Sequence, residues 1–363
     1  MRRPFQSVWS KMVSSYIAVV LVIALLLGSI FYLFFSHQYS EEIRINKQMM
    51  LKNTVNSIES SVIQRVHQIY LSLALGSPVN IDLDTFKGNH SKVLDIQQLL
   101  QNQVQNHSDL IQAIHLYDTE DHFMISSVHG LQLYESTPSG AGGTADWIDA
   151  MKETEESSLW MHTRMVPQDP YTELTEQSSM NPLISYVHSY PFQSSGQDCE
   201  LMIAIDIKES AVSQIIDNML PADYESTFIV DPNGTVISAA DKSLLGRPME
   251  EHSLIQSLLS FNPADGSSAH TFDHGSYVVT HDQFAGNGWR IYTTTPDKSF
   301  YYKMDGLKEG VLMVCLLAVA VGIAMSSIFT AAGYSPLKRI MNNIKSRLDS
   351  PVGSKQITGF FFI

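Results

Sequence analysis

Among the side chains of types that can hold a charged small molecule are Trp147, Trp160, Arg164, Tyr186, His188, Tyr190 and Asp206. A ligand such as an amino acid needs a guanidinium for its carboxylate, an acid for its amine and aromatic walls to exclude water. Arg164 and Asp206 carry the two charges, and the rings can form the walls. The alternative places Trp147 and Trp160 in a core, Arg164 on the surface and Asp206 at a helix N-cap near Lys208-Glu209. The chain has 13 histidines, and His270, His274 and His281 with Asp273 form the densest group. The pattern around them reads as strands and turns, where residues four apart are separated by more than about 12 Å, too far for one zinc ion. No Ser/His/Asp elbow, P-loop, H-E-x-x-H or kinase signature occurs. The residues offer no basis for an enzyme and call for no cofactor.

The elements that must position these groups begin with a helix. Leu51, Val55, Ile58, Val62, Val66, Ile69 and Leu73 recur at helical period, with Lys52, Asn56, Glu59 and Gln64 on the other faces. A helix from Glu41 to Leu75 would be about 50 Å long, ending at Gly76-Ser77-Pro78. Its stripe packs on its own domain or contributes to a dimer seam. A second helix is expected over Ser91–Asn106. Leu110–Tyr117 and His122–Val128 read as a hairpin, Glu135–Ala145 as a loop and Ala145–Lys152 as a short helix. Leu159–Val166, Leu183–Phe192 and Cys199–Ile207 are β-rich, and Glu209–Leu220 returns to a helical pattern. A smaller set follows. Ser226–Val230 and Thr235–Ala239 flank the turn Asp231-Pro232-Asn233-Gly234, Ser253–Leu259 is a short helix, and Ser268–Phe272, Tyr277–Asp282 and Trp289–Thr295 are strands. Lys298–Lys308 then leads helically onward. The fold class is α+β, with two antiparallel-sheet modules behind a long helix.

Two uncharged apolar stretches bracket this block. No charged residue lies between Lys11 and Glu41, or between Glu309 and Lys338, and each gap exceeds the roughly 20 residues that cross a bilayer core. With +3 before residue 37 and +4 after residue 330, the total of −14 leaves −21 for residues 37–330. Basic flanks place both termini in the cytoplasm and the acidic block outside. So acidic a block does not bind nucleic acid through its surface. The first apolar run is too long for a cleaved signal peptide and lacks an A-x-A site, so it reads as an uncleaved anchor. Cys199 lies in the acidic block and Cys315 in the second span, so no disulfide joins them. The expected division is a cytoplasmic N-terminus (1–13), a first transmembrane helix (14–36), an extracellular domain (37–306), a second transmembrane helix (307–332) and a cytoplasmic stub (333–363). The last segment, ending Gly359-Phe-Phe-Phe-Ile363, reads as a truncated end.

The layout of long helix, larger distal module (about 80–220), smaller proximal module (about 221–297) and flanking spans resembles the double Cache family of PAS-like extracellular sensors. Phe228-Ile-Val-Asp-Pro-Asn-Gly-Thr-Val-Ile-Ser238 is similar to the first hairpin of the family's proximal module. Leu245-Gly246-Arg247 and Gly288-Trp289-Arg290-Ile291 are similar to later segments of it, and Leu201–Ile207 with Lys208-Glu209 to the strand–helix junction closing the distal one. The resemblance implies a small extracellular ligand in the distal module, with Asp206 matching the Asp that holds a ligand amine in members that bind amino acids. It departs from the family's compact Arg-x-Trp arrangement, since Trp160 and Arg164 stand four apart in the opposite order. Tyr334-Ser335-Pro336-Leu337-Lys338-Arg339-Ile340 resembles linkers to AraC-type DNA-binding regulators or histidine kinases of Gram-positive bacteria. The implied working form is a homodimer in contact with membrane lipid. A rival class is a non-signalling surface adhesion or assembly protein.

Overall fold

The computed structural model describes residues 4–76, 90–133, 146–167, 180–220, 226–248, 270–272, 277–296 and 302–348. The chain forms two compact units, Met1–Glu42 with Tyr301–Ile363, and Ile43–Phe300. The expected loop over Glu135–Ala145 and the expected helix over Ser253–Leu259 lie outside the described residues.

The first unit contains the start of helix α1 (Pro4–Ile58) and helix α6 (Tyr302–Leu348). The apolar runs from Ser14 and over Lys308–Gly333 are long and apolar enough to cross a membrane. Large apolar side chains such as Leu33, Phe34, Leu312 and Val314 are more than 60% exposed, a surface that only an apolar surrounding matches. The two helices touch through small residues. A Cβ on Gly28 would meet Cys315 Sγ at 2.5 Å, and one on Gly322 would meet Val20, the close approach that glycine permits between apolar helices. Helix α6 runs through Pro336, so the segment expected as a linker at Tyr334–Ile340 is helical.

In the second unit, α1 continues to Ile58, passes through a single π turn at Glu59–Ile63 and resumes as α2 (Gln64–Ala74). All seven residues of the apolar stripe are buried. The distal sheet is antiparallel and contains β1 (Ile111–Asp118), β2 (Phe123–Ser126), β3 (Gly130–Leu133), β4 (Ser158–Trp160), β5 (Arg164–Pro167), β6 (Met180–Tyr190) and β7 (Leu201–Lys208). Its order is β3-β2-β1-β7-β6-β4, with β5 also paired to β6. Helices α3 (His90–Asn106), α4 (Asp146–Glu153) and α5 (Glu209–Met219) accompany it. Two expectations change here. The turn after β2 leads to a further edge strand, β3, and the single strand expected over Leu159–Val166 is two strands separated at Met161-His162-Thr163.

The break has a packing reason, because Thr163 makes one of the distal module's contacts with the proximal one. Its hydroxyl donates to the Ile237 carbonyl, and its own carbonyl would lie 2.4 Å from a Cβ on Gly246, where φ is +70°. The proximal sheet holds β8 (Ser226–Val230), β9 (Val236–Ala239), β10 (His270–Phe272), β11 (Tyr277–Gln283) and β12 (Arg290–Pro296), in the order β10-β11-β12-β8-β9. Both sheets therefore run 2-1-5-4-3 if the five strands they share are counted along the chain.

Strand alternation sorts the distal sheet into two buried faces. Ile203, Ile205 and Ile207 of β7, Ile184 and Tyr186 of β6, and Ile114 and Leu116 of β1 join the α1–α2 stripe in one core. That core extends to Ile229, Phe284, Trp289 and Ile291 of the proximal module. Met202, Ala204, Val187 and Tyr117 pack with Trp147, Ile148 and Met151 of α4 on the other side.

Candidate functional site

The face covered by α4 carries the polar cluster. Asp206 sits in β7 directly across from Ser185 of β6 and Ala113 of β1, so its carboxylate leaves the sheet on the α4 face beside the Ser185 hydroxyl. Arg164 is the first residue of β5 and reaches it from the far side of β6. Arg164 Nη2 donates to Asp206 Oδ1 at 2.9 Å, and Ser185 Oγ donates to the same oxygen at 2.5 Å. His115 Nε2 lies 3.2 Å from Asp206 Oδ2, and Arg164 also donates to Ser185 Oγ through Nε and Nη2. Arg164, Asp206 and His115 are all buried. Arg164 is thus not a surface cation, and Asp206 does not cap α5, whose N-cap is Lys208.

Burial alone would push the Asp206 carboxyl up. The hydrogen bond from His115, the positive charge of Arg164 and the Ser185 hydroxyl outweigh it and hold the group well below the usual carboxylate range. The site therefore holds a carboxylate anion. Around it stand the rings of His129, 6.3 Å from His115, and of Trp147, 6.3 Å from both His115 and Tyr117. Burial lowers the His129 pKa, and the neighbouring His115 lowers it further. Among the described residues, Trp147 Nε1 and His115 Nδ1 are buried without a hydrogen-bond partner, an arrangement that folded cores rarely tolerate.

The sequence-derived set thus divides. Trp147, Arg164 and Asp206 come together on the α4 face. Tyr186, His188 and Tyr190 are an even number of residues from one another and one residue out of phase with Ser185, so they project to the α2 face. Trp160 pairs with Tyr186 and joins them, its ring 4.8 Å from that of Tyr186. Burial pushes the Tyr186 phenol up to about 12. On this second face His188 stacks on Tyr70 of α2 at 4.0 Å, and Trp160 meets Trp289 of the proximal module edge-on at 5.1 Å. A cavity of about 450 Å³ opens there. The residues that sequence reasoning missed on the first face are His115, Ser185, Tyr117 and His129. Polar residues embedded in the apolar strands around His115 and Ser185 were the available signal, and only the strand register shows that they converge on Asp206.

The sequence profile of the Cache domain family, in its double form, matches residues 35–304. The chain belongs to the double Cache family. Such domains are sensors of small ligands outside the cell, and the two five-strand orders and the long helix fit that fold. No curated protein matches the chain. Solved structures similar to this chain include the ligand-binding domain of Mlp24 with asparagine, at 15% identity and a TM-score of 0.49, covering 74% of this chain and 98% of that one. The ligand-binding domain of the Pseudomonas fluorescens chemoreceptor CtaA in complex with L-serine is 14% identical, with a TM-score of 0.47 and coverages of 71% and 99%. That of the Pseudomonas aeruginosa amino acid chemoreceptor PctB in complex with L-Arg has the same identity and TM-score, with coverages of 72% and 98%.

Proposed function

We propose that this double Cache chain is a two-span receptor of the plasma membrane whose distal module binds a small zwitterion, an α-amino acid or close analogue, at Asp206 and Arg164. The observation that carries this reading is the buried, anionic Asp206 held by Arg164. A buried ion pair adds little to stability, yet here it sits beside polar atoms of Trp147 and His115 that have no partner among the described residues. An amino acid brings a partner for each charge. Its ammonium replaces the guanidinium on Asp206, its carboxylate takes the Arg164 fork, and Trp147 closes over it. Trp160, Tyr186 and Tyr190 support the opposite face of β6 and shape this site through the strand rather than by contact.

Ligand exchange at β5 and β7 then moves the contact at Thr163 and the α5 junction. Binding shifts the chain between two states by its differential affinity for them. In the working receptor two copies pair in the membrane. The readout is a displacement of α6 toward a cytoplasmic output, an AraC-type DNA-binding module or a histidine kinase.

The test is calorimetry on the full-length protein in lipid nanodiscs with the standard amino acids. Each is paired with analogues lacking either the amine or the carboxylate. We expect saturable binding by at least one amino acid, loss of about a hundredfold or more for both analogues, and a similar loss in Asp206→Asn. Binding unchanged in Asp206→Asn, or equal binding by the amine-free acids, would remove Asp206 from the site.

A further inference from the structure

The cavity on the α2 face lies across the sheet from Asp206 and Arg164 and contains neither. It lies where three pieces of the second unit meet: α2, the β4–β6 edge of the distal sheet, and the Asp231-Pro232-Asn233 and Gly286-Asn287 turns of the proximal module. Its walls are rings, chiefly Tyr70, Trp160, Tyr186, His188, Phe192 and Trp289. Tyr70, His188 and Phe192 stack within 27° of one another, and the remaining rings stand at steeper angles. Trp160 is inclined by 46° to Tyr186 and by 74° to Trp289, and Tyr70 by 80° to Tyr186, so the rings meet as the corner of a box. Glu156 and Asp231 are the acidic residues of the lining, with Asp231 Oδ1 accepting from the Thr235 amide; among the described residues no Lys or Arg lines the cavity, and Arg290 Nη2 donates to the Pro232 carbonyl at 3.3 Å beside it. The two histidines, His67 and His188, are pushed toward the neutral form by burial.

Aromatic faces beside carboxylates attract a positive charge and repel a negative one. The electron-rich face of each ring adds to the attraction, most for tryptophan, once the cation is desolvated. At about 450 Å³ the space falls within the usual range for small-molecule sites. Among the described residues, Trp289 Nε1 and Asn287 Nδ2 are buried without a hydrogen-bond partner; as donors they suit an oxygen of the occupant, such as a hydroxyl, and not its cationic group.

We infer that this aromatic corner is a second binding site, distinct from the Asp206 site, and that it takes a small organic ammonium cation of the methylated-amine class. The occupant touches α2 and both modules at once. It therefore acts as a bolt between them, and its binding is sensitive to any change in their spacing.

Calorimetry on the full-length protein in nanodiscs tests this with choline, tetramethylammonium and the neutral analogue of choline in which carbon replaces nitrogen. Choline and tetramethylammonium should bind saturably and the neutral analogue about tenfold or more weakly. Trp160→Leu and the exposed Glu156→Gln should each weaken choline by about threefold to thirtyfold. Asp206→Asn should leave choline binding intact while abolishing amino-acid binding, which separates this site from the distal one. If Trp160→Leu does not fold, Glu156→Gln and the neutral analogue carry the test. Equal binding of the neutral analogue, absence of any saturable heat from choline, or loss of choline binding in Asp206→Asn would each overturn the inference.

Discussion

The Lys47 ammonium shows how burial tunes one residue to a role that charge counting misses. It lies on α1 and donates to Thr295 Oγ1 of β12 at 3.1 Å, and burial lowers its pKa from 10.5 to about 8. The unfolded chain therefore binds more protons than the folded one between about pH 8 and pH 10.5. Stability should rise with pH across that window, as the cost of burying the charge is relieved. Thermal unfolding of the solubilised protein should show this rise, and Lys47→Met should flatten it. A midpoint that falls over the same range would contradict the assignment. At this scale the sequence was partly legible. Arg164, Asp206 and Trp147 announced themselves by type. His115 and Ser185 did not, because a buried polar residue in an apolar strand becomes a partner only through register. Trp160, Tyr186 and Tyr190 are aromatic like Trp147, and nothing in their type says which face of the sheet they occupy.

At the scale of elements, the apolar stripe of the long helix was legible and the π turn within it was not. Upstream, the buried residues are Leu51, Thr54, Val55 and Ile58; downstream they include Ile63, Val66, Tyr70, Leu73 and Ala74. On a straight α-helix, at about 100° per residue, the second group is rotated by most of a right angle from the first. The wider winding of one π turn takes up the difference. It also lets Glu59 accept a hydrogen bond from the Ala285 amide at 2.6 Å. The period reading needed only a subset of these residues and so saw one continuous stripe. Deleting Ser60 from the π turn should restore a plain α-helix with both faces still aligned, at a cost below about 1 kcal/mol. Deleting Gln68 should swing the faces apart by about 100° and cost well over 3 kcal/mol. Chemical denaturation of the two variants would check the contrast. Equal losses would mean that the π turn does not set the alignment.

For the molecule as a whole, two sheets of the same strand order share a core with one helix and meet at a few specific contacts. Gly246 is the tightest of them, with its φ of +70° and the Thr163 carbonyl where a Cβ would be. Gly246→Val should destabilise the domain by at least about 2 kcal/mol, and limited proteolysis should show the proximal module opening before the distal one. Simultaneous opening at unchanged stability would show that the contact does not join them. The two-module plan, the flanking apolar helices and the charge division were visible in the sequence because they rest on long patterns. The cavity between the modules was not, since its walls come from five distant stretches. The Arg164–Asp206 pair has a consequence at this scale too. A tethered guanidinium competes for the carboxylate at an effective concentration that dilution cannot lower. In the proposed receptor any free amine must displace it, so the dose at which it responds would be written into the covalent chain and stay the same however many copies the cell displays.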